Sequence, residues 1–594
     1  MPDRPNKLSK FWQELKRRNV HRTVAIYAGS AFVFLEAATI IFPRWGFPDW
    51  TIDLVLYLLI LGVFITFIVS WIFDITPQGV QKTKPIEEIA ETEIKADSKV
   101  WKAATYISLV VIVGLIVLNI VGGGKQVRAG DIQSLVILPF ENFTGDDQLD
   151  NMVSSMHSLL CGDMGRISGL RVIGKTSSKI YKDTDLSAKD IARELNVDAV
   201  LEPTIMCLGD SVCMQFRLVS TTGEEDQIWV GDYREDKRQI LNLFNRLTRQ
   251  VADEVMIELT PEEERLLAKS RTVDREAFDD YLKARSFAND NRKESLFKSL
   301  GYLNSAIEKE PDWAPLYAGL AELWMWIQQE GYESPSVAAP KIYENLNKAM
   351  ELDPDLAEVH YLSAMIAQLV EWNWDKSEKE FLKTLAINPN DSWSRLLYSQ
   401  LLLILQRNDE ALAQIELAAG LDPFNPAEKL LYSGTLNQAG DFAAGLSVAE
   451  ELVAADPMDM NAKGMAGIAV IGLGEYDKVI RSLKNSLPFS IEENVYEEIV
   501  RLYGESGIVA AYEELMKHQE KYAENNPVGF MGMAIGYIIA DQPDKAMDWI
   551  EKGFELHDPL ITYITATGRI FEPLFDNPRF IEIVQKMNLP LPKN

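Results

Sequence analysis

Small residues return about every 34 positions through the second half of this chain, a spacing that a core built once has no use for. Ala364, Ser399, Ser433 and Gly467 follow one another at 35, 34 and 34 residues, and Ala321 and Ala534 extend the series. Pro354, Pro389, Pro423 and Pro457 keep the same interval, each ten residues ahead of a member of that series. A second small set lies between them: Ser299 with Ala306, Ala411 with Ala418, Ala546 with Gly553. Such a period predicts stacked helical hairpins. Small side chains let paired helices approach, and each proline closes one hairpin before the next begins. No single hairpin buries its own apolar face, so the stack folds as an array.

The stretch "LLYSQLLLILQRNDEALAQIELAAGLDP" (Leu396 to Pro423) resembles the tetratricopeptide repeat (TPR), with a small residue in helix A, alanines in helix B and a closing proline. The next 34 residues repeat it, with Gly440-Asp441-Phe442 at the inter-helix turn, and seven to eight repeats fit between 276 and 560. An insertion, Gln328 to Pro340, interrupts the 321-to-364 interval. The resemblance implies a concave groove lined by helix A residues. Here those are Tyr317, His360, Arg395, Lys429 and Lys463, and they would hold an extended peptide or a partner helix.

Three apolar runs precede the array, at 24–42, 54–73 and 104–121, each near the ~20 residues that cross a bilayer as a helix. Seven basic residues precede the first run, from Arg4 to Arg22, and five lysines lie in the segment between the second and third. That bias predicts a cytoplasmic amino terminus and, after three spans, a periplasmic remainder. Residues 1–22 read as a basic amphipathic segment able to lie on a lipid bilayer, and Glu36 reads as a packing or interfacial polar residue.

Between 131 and 260 the periodicity changes. An apolar strand at 134–140, a helix at 149–164, a short strand and a second helix precede an antiparallel series at 199–208, 212–220 and 227–232; a helix at 240–259 follows. This order predicts a small α+β domain. "SLVILPFENFTGDDQLDNM", "GRISGLRVIGKTSSKIYK", "IARELNVDAVLE" and "TTGEEDQIWVGDYRED" resemble the TolB amino-terminal-like domain that precedes TPR arrays in bacterial membrane proteins. The leader "FWQELKRRNVHRTVAIYAGSAFVFLE" and the terminal "FEPLFDNPRFIEIVQKM" are similar to the same group. Pro203 stands where that family commonly has glycine, and Asn151 follows Asp150 where it has Gly-Met-Thr.

The expected fold class is therefore multidomain: three transmembrane helices, a small α+β (TolB-N-like) domain and an all-α TPR solenoid. The expected divisions are 1–22, a transmembrane hairpin 23–74, a cytoplasmic linker 75–103, a third span 104–121, the α+β domain 131–260, a helical connector 261–275, the array 276–560 and a capping segment 561–594.

Chemistry has little foothold. None of His21, His157, His360, His518 and His557 forms a zinc pattern, and no phosphate loop, dinucleotide fingerprint or nucleophile elbow is present. The reading is a protein that is not an enzyme and uses no cofactor or metal. His157 lies one helical turn before Cys161, a spacing that ordinary packing explains better than a Cys-His pair. Cys207 and Cys213 flank the end of a predicted β-hairpin, where a disulfide and two separate half-buried thiols are both open. Net charge is −29 over 594 residues, and residues 1–130 carry 15 Lys+Arg against 11 Asp+Glu, so the rest holds about −33. Such a surface repels phosphate backbones, which argues against a nucleic-acid partner.

The function that fits is a membrane-anchored periplasmic scaffold or assembly factor, multi-pass in a bacterial inner membrane. It would bind a protein or peptide of an envelope complex, with a homo-oligomer left open. The alternative is a transmembrane sensor relaying an envelope signal to a cytoplasmic regulator.

Overall fold

The computed structural model describes residues 132–591, apart from 147–148, 223–224, 289–291, 487–490, 527 and 567, together with residues scattered between 20 and 82. The chain divides into two units, Met1–Gln126 and Val127–Asn594.

In the first unit the described helical residues fall within 20–35 and 55–66, and the Tyr27 hydroxyl donates to the Leu59 carbonyl at 3.1 Å. Strand β1 (Phe73–Thr76) then pairs antiparallel with β2 (Gly79–Lys82). Among the described residues no helix is long and apolar enough to cross a membrane. This corrects the expected three spans and the multi-pass inner-membrane placement. The physical reason is visible at the end of the second run, where Phe73 has already left helical geometry for a hairpin. The third run and Glu36 lie outside the described residues, as does the amino-terminal basic segment apart from Val20. The described residues form a helical-repeat array carrying a small sheet region.

The second unit begins with a sheet layer. Its elements are β3 (Ser134–Ile137), β4 (Glu141–Asn142), α1 (Asp150–Met164), β5 (Arg171–Val172), α2 (Lys175–Lys179), α3 (Ala188–Leu195), β6 (Ala199–Leu208), β7 (Ser211–Ser220), β8 (Asp226–Asp236) and α4 (Ile240–Glu254). The strand order is β5-β3-β6-β7-β8, with β4 also on β6. β3 runs parallel to both its neighbours, and β6, β7 and β8 form an antiparallel meander. All four residues of β3 are buried, as expected for a strand covered on both faces. On one face Ile191, Ala192 and Leu195 of α3 pack with Val136 and Val200. On the other, Met156 and Leu160 of α1 and Phe244 and Leu247 of α4 join Leu135, Ile137 and Phe216. The β6–β7 register sets Cys207 opposite Cys213 with Cα atoms 4.8 Å apart, and the structure joins them by a disulfide.

Helix α5 (Pro261–Leu267) opens the helical part with a capping box, Thr260 and Glu263 each bonding the other's backbone N–H. Seven helix pairs follow it: α6 (Arg275–Ala288) with α7 (Lys293–Lys309), α8 (Ala314–Gln329) with α9 (Pro335–Leu352), α10 (Ala357–Leu369) with α11 (Trp374–Ile387), α12 (Ser392–Ile404) with α13 (Asn408–Leu421), α14 (Pro426–Gln438) with α15 (Phe442–Ala455), α16 (Met460–Gly472) with α17 (Tyr476–Ser486), and, further on, α19 (Phe530–Ile539) with α20 (Pro543–Glu555). Between the last two pairs, α18 (Glu493–Ala523) is two helices joined across a kink at Gly507, whose φ of 86° suits glycine. A final helix, α21 (Pro578–Lys586), caps the array.

The first helix of each pair is its A helix and the second its B helix. α8 packs on α10, α12 on α14 and α14 on α16, whereas no contact of that extent joins successive B helices among the described residues. The A helices therefore line the tighter, concave side.

Where A and B cross, small residues let a hydroxyl reach the facing backbone. Ser299 Oγ donates to Ala284 O at 2.8 Å, Ser377 Oγ to Ala364 O at 2.9 Å, and Ser433 Oγ to Gly445 O at 2.8 Å. Ala321, Ala364, Ser399, Ser433 and Ala534 are fully buried. Gly467 departs from the series, because a Cβ there would meet no atom within 4 Å. At Gly445 the space is filled: a Cβ would sit 2.2 Å from Asn437 Oδ1 and 3.1 Å from the Ser433 carbonyl. Gly445→Leu is expected to destabilise the protein by about 1–3 kcal/mol or more through overpacking. Gly467→Leu should stay within about 0.5 kcal/mol of the parent. Urea unfolding of the two variants checks both, and equal losses would mean that the crossing does not lie at Gly445.

After the last hairpin the chain returns onto the third and fourth. Thr565 Oγ1 donates to Ile404 O at 3.4 Å, Met587 O accepts from Trp374 Nε1 at 2.9 Å, and Pro590 O accepts from Gln406 Nε2 at 3.1 Å. The array thus closes on itself along the edge formed by its A-to-B turns.

Candidate partner-binding surface

At three of the turns a proline carbonyl at the end of a B helix meets a side chain from the A helix that follows. Tyr317 Oη donates to Pro311 O at 2.9 Å, His360 Nε2 lies 2.8 Å from Pro354 O, and Arg395 Nη2 donates to Pro389 O at 2.7 Å. The spacing is six residues each time. Two of these side chains also reach their own B helix: His360 Nδ1 is 2.6 Å from Glu380 Oε2, and Arg395 Nη1 donates to Gln414 Oε1 at 2.9 Å. Lys429 instead approaches Glu451 at 3.5 Å, and Lys463 is half-buried on α16. Of the five residues expected to line a groove, His360 is only 7% exposed, and the first three are bonded to the turn that precedes them.

The same row of turns carries the sheet layer. At the first turn, Glu310 pairs with Arg271 at 2.9 Å and accepts from the Asp274 N–H at 3.0 Å. At the second, Asp353 pairs with Lys269 at 2.7 Å and Asp355 with Arg265 at 2.9 Å. The bonds from Arg265 and Lys269 hold the Asp355 carboxyl down at about 2. At the third, Asn390 Oδ1 accepts from the Val172 N–H at 3.0 Å, and its Nδ2 donates to the carbonyls of Gly165, Ile167 and Leu170 at 3.0, 3.1 and 2.9 Å. At the fourth, the Gly174 N–H donates to Leu421 O at 2.7 Å, the Ser177 N–H to Asp422 Oδ1 at 2.7 Å, and the Phe424 N–H to Ser177 Oγ at 2.8 Å.

Beside this seam, the A helices of the first three hairpins present charges that sequence reasoning did not single out. Arg285 stands on α6, Glu322 on α8 and Glu358 on α10, facing Lys175 of α2. Burial raises the Glu322 carboxyl above its ordinary range, opposed by Arg285 and Lys175, and lowers the Lys175 ammonium. Among the described residues none of these four makes an ion pair within 4 Å. Tyr361 adjoins them, its hydroxyl accepting from Trp393 Nε1 at 3.1 Å, and burial raises its phenol. The only local signal for such a set was a polar residue within an A helix, which many solvated positions share.

The Cys161–His157 spacing gives a contact at 3.4 Å but not a nucleophile pair. His157 Nε2 also lies 3.0 Å from the Ile137 carbonyl, an acceptor only, so that nitrogen carries the proton and cannot take one from the thiol. Burial lowers His157 to about 4 and pushes the Cys161 thiol up to about 12. Among the described residues no three His, Cys, Asp or Glu side chains stand within reach of one metal ion.

No family model matches the chain. A Rhizobium meliloti (strain 1021) protein named "Putative adenylate cyclase 3" is 26% identical over 189 residues, which is 32% of this chain and 32% of that relative. Among solved structures, the TPR protein YrrB, described as having an unusual peptide-binding site, aligns at 18% identity over 34% of this chain and 98% of its own, with a TM-score of 0.26. A tetratricopeptide repeat protein from Parabacteroides merdae ATCC 43184 aligns at 14% identity over 46% and 100%, with a TM-score of 0.30. Yeast Tom70 aligns at 17% over 52% and 68%, with a TM-score of 0.29.

Proposed function

We propose that this protein is a binding scaffold that receives a segment of another protein on the concave A-helix face beside Lys175, Arg285, Glu322 and Glu358. One observation carries the reading: charges of both signs stand on this face without ion-pair partners, although the chain pairs its charges along the turns just beside them. Arg285 and Glu322 are half-buried without ion pairs among the described residues, which disfavours the free protein, and a partner segment bearing complementary charges relieves that cost. Mixed signs suit a peptide, whose side chains alternate in charge, better than a uniformly anionic polymer.

A photo-reactive residue placed at Glu358 of the full chain is expected to crosslink a discrete partner in extracts of the source cells. The same group at Glu344, on the B helix α9, should not. Arg285→Glu should abolish the Glu358 crosslink while circular dichroism shows that the variant remains folded. Equal crosslinking from both positions, or a Glu358 crosslink indifferent to Arg285→Glu, would remove the concave face as the site.

A further inference from the structure

On the B-helix side of the first two hairpins, lysines lie over aromatic rings instead of beside carboxylates. Lys341 Nζ stands 3.6 Å from the centre of the Trp324 ring. Phe297 meets Trp324 edge-on at 6.4 Å, and Lys293 Nζ lies 5.8 Å from the Phe297 ring and 5.9 Å from that of Tyr332. One helical turn on, Phe287 and Tyr302 stack at 5.7 Å and 9°, with Lys298 over Phe287 at 5.6 Å and Lys283 over Tyr302 at 5.6 Å. Among the described residues Lys293, Lys298 and Lys341 have no carboxylate within 4 Å, and Lys283 reaches only Asp280, at 4.0 Å. Gly301, between the two clusters on α7, leaves open space where a side chain would stand.

The chain carries 88 Asp+Glu against 59 Lys+Arg, so carboxylates are the commoner partner for any lysine on its surface. On this face three ammonium groups stand over rings with no carboxylate within 4 Å among the described residues. An ammonium over an exposed ring is held weakly. A carboxylate from outside competes well for it, and the displaced lysine uncovers an aromatic surface. Aromatic side chains beside cations are also the composition that dominates binding energy at protein interfaces.

We propose that α7 and the Trp324–Tyr332–Lys341 seam form a docking site for an acidic segment of a partner protein that carries an aromatic side chain between its carboxylates. The carboxylates draw Lys293 and Lys341 off the rings, and the aromatic side chain takes their place against Trp324 and Phe297. Charge complementarity selects this occupant. A nucleic-acid strand would run on beyond the patch into the surrounding acid surface, whereas a short acidic segment need not. Lys293 and Lys341 stand on the B helices α7 and α9, and Trp324 is contributed by the A helix α8.

The test is fluorescence anisotropy at low salt with the full chain and a labelled Glu-Glu-Phe-Glu-Glu peptide. Binding is expected, with a loss of at least tenfold in the Lys293→Glu, Lys341→Glu double variant and no change in Lys517→Glu, which alters a remote exposed lysine. Glu-Glu-Gly-Glu-Glu should bind at least fivefold more weakly. Absence of peptide binding, or equal binding of the glycine peptide, overturns the proposal. So does tighter binding of oligothymidylate that disappears in the same double variant, which would assign the patch to single-stranded nucleic acid. Circular dichroism of the double variant checks that it is folded.

Discussion

Replacing Asn390 with leucine is expected to loosen the sheet layer's hold on the array at a cost of about 2–4 kcal/mol. This one amide accepts from the Val172 N–H and donates to the carbonyls of Gly165, Ile167 and Leu170. Removing it leaves the Val172 N–H and the Leu170 carbonyl without a partner at a half-buried seam, each worth about 1–3 kcal/mol when unsatisfied, while the Gly165 carbonyl keeps the Asn390 N–H and the Ile167 carbonyl keeps the Leu170 N–H, both at 3.3 Å. Asn390→Asp distinguishes hydrogen bonding from shape. It keeps an acceptor for Val172 but sets an anion against three carbonyl oxygens, so its loss should be at least as large. Hydrogen exchange checks the result: amides of β3, β5 and α1 should lose protection in both variants while those of α19 and α20 keep theirs. Uniform loss of protection over both regions would instead mean that the two parts unfold together and that the seam is not a separable joint.

That joint also marks the limit of what was legible in the amino-acid sequence. Ala364, Ser399 and Ser433 announced the helix crossings because a repeat imposes its geometry locally, and all three are fully buried. Asn390 and Gly165 are 225 residues apart, and neither neighbourhood carries a mark of the other. His360 and Arg395 read as groove residues because a periodic pattern identifies a polar position on a helix without saying what that position meets. The proline carbonyl six residues back captures both side chains. Gly467 kept the period but not the crossing, since a small residue is permitted wherever space is free as well as where it is scarce. The apolar runs near the amino terminus had the length of membrane spans, yet length alone does not fix helix over strand, and Phe73 belongs to a hairpin.

Glu428 gives the protein an alkaline weakness that a single substitution should remove. It lies in the first turn of α14, only 2% exposed, with Oε1 bonded by Asn425 Nδ2 at 3.2 Å and Oε2 buried without a partner. Burial, with Asp422 and Asp391 nearby, raises its carboxyl to about 8 from an ordinary 4.5. The folded state therefore holds this proton where the unfolded chain gives it up. Stability from the neutral acid is fully present below pH 4.5, falls as pH rises toward 8, and levels off above that. The slope within the window is about 1.4 kcal/mol per pH unit, so the accumulated loss is on the order of 5 kcal/mol. Glu428→Gln keeps the shape and cannot ionise. Its advantage over the parent in urea unfolding should be small at pH 5 and grow steadily through pH 6, 7 and 8. Parallel stability profiles for parent and variant would show that the carboxyl titrates normally, and that water reaches an oxygen which the packing of α12 against α14 otherwise keeps dry.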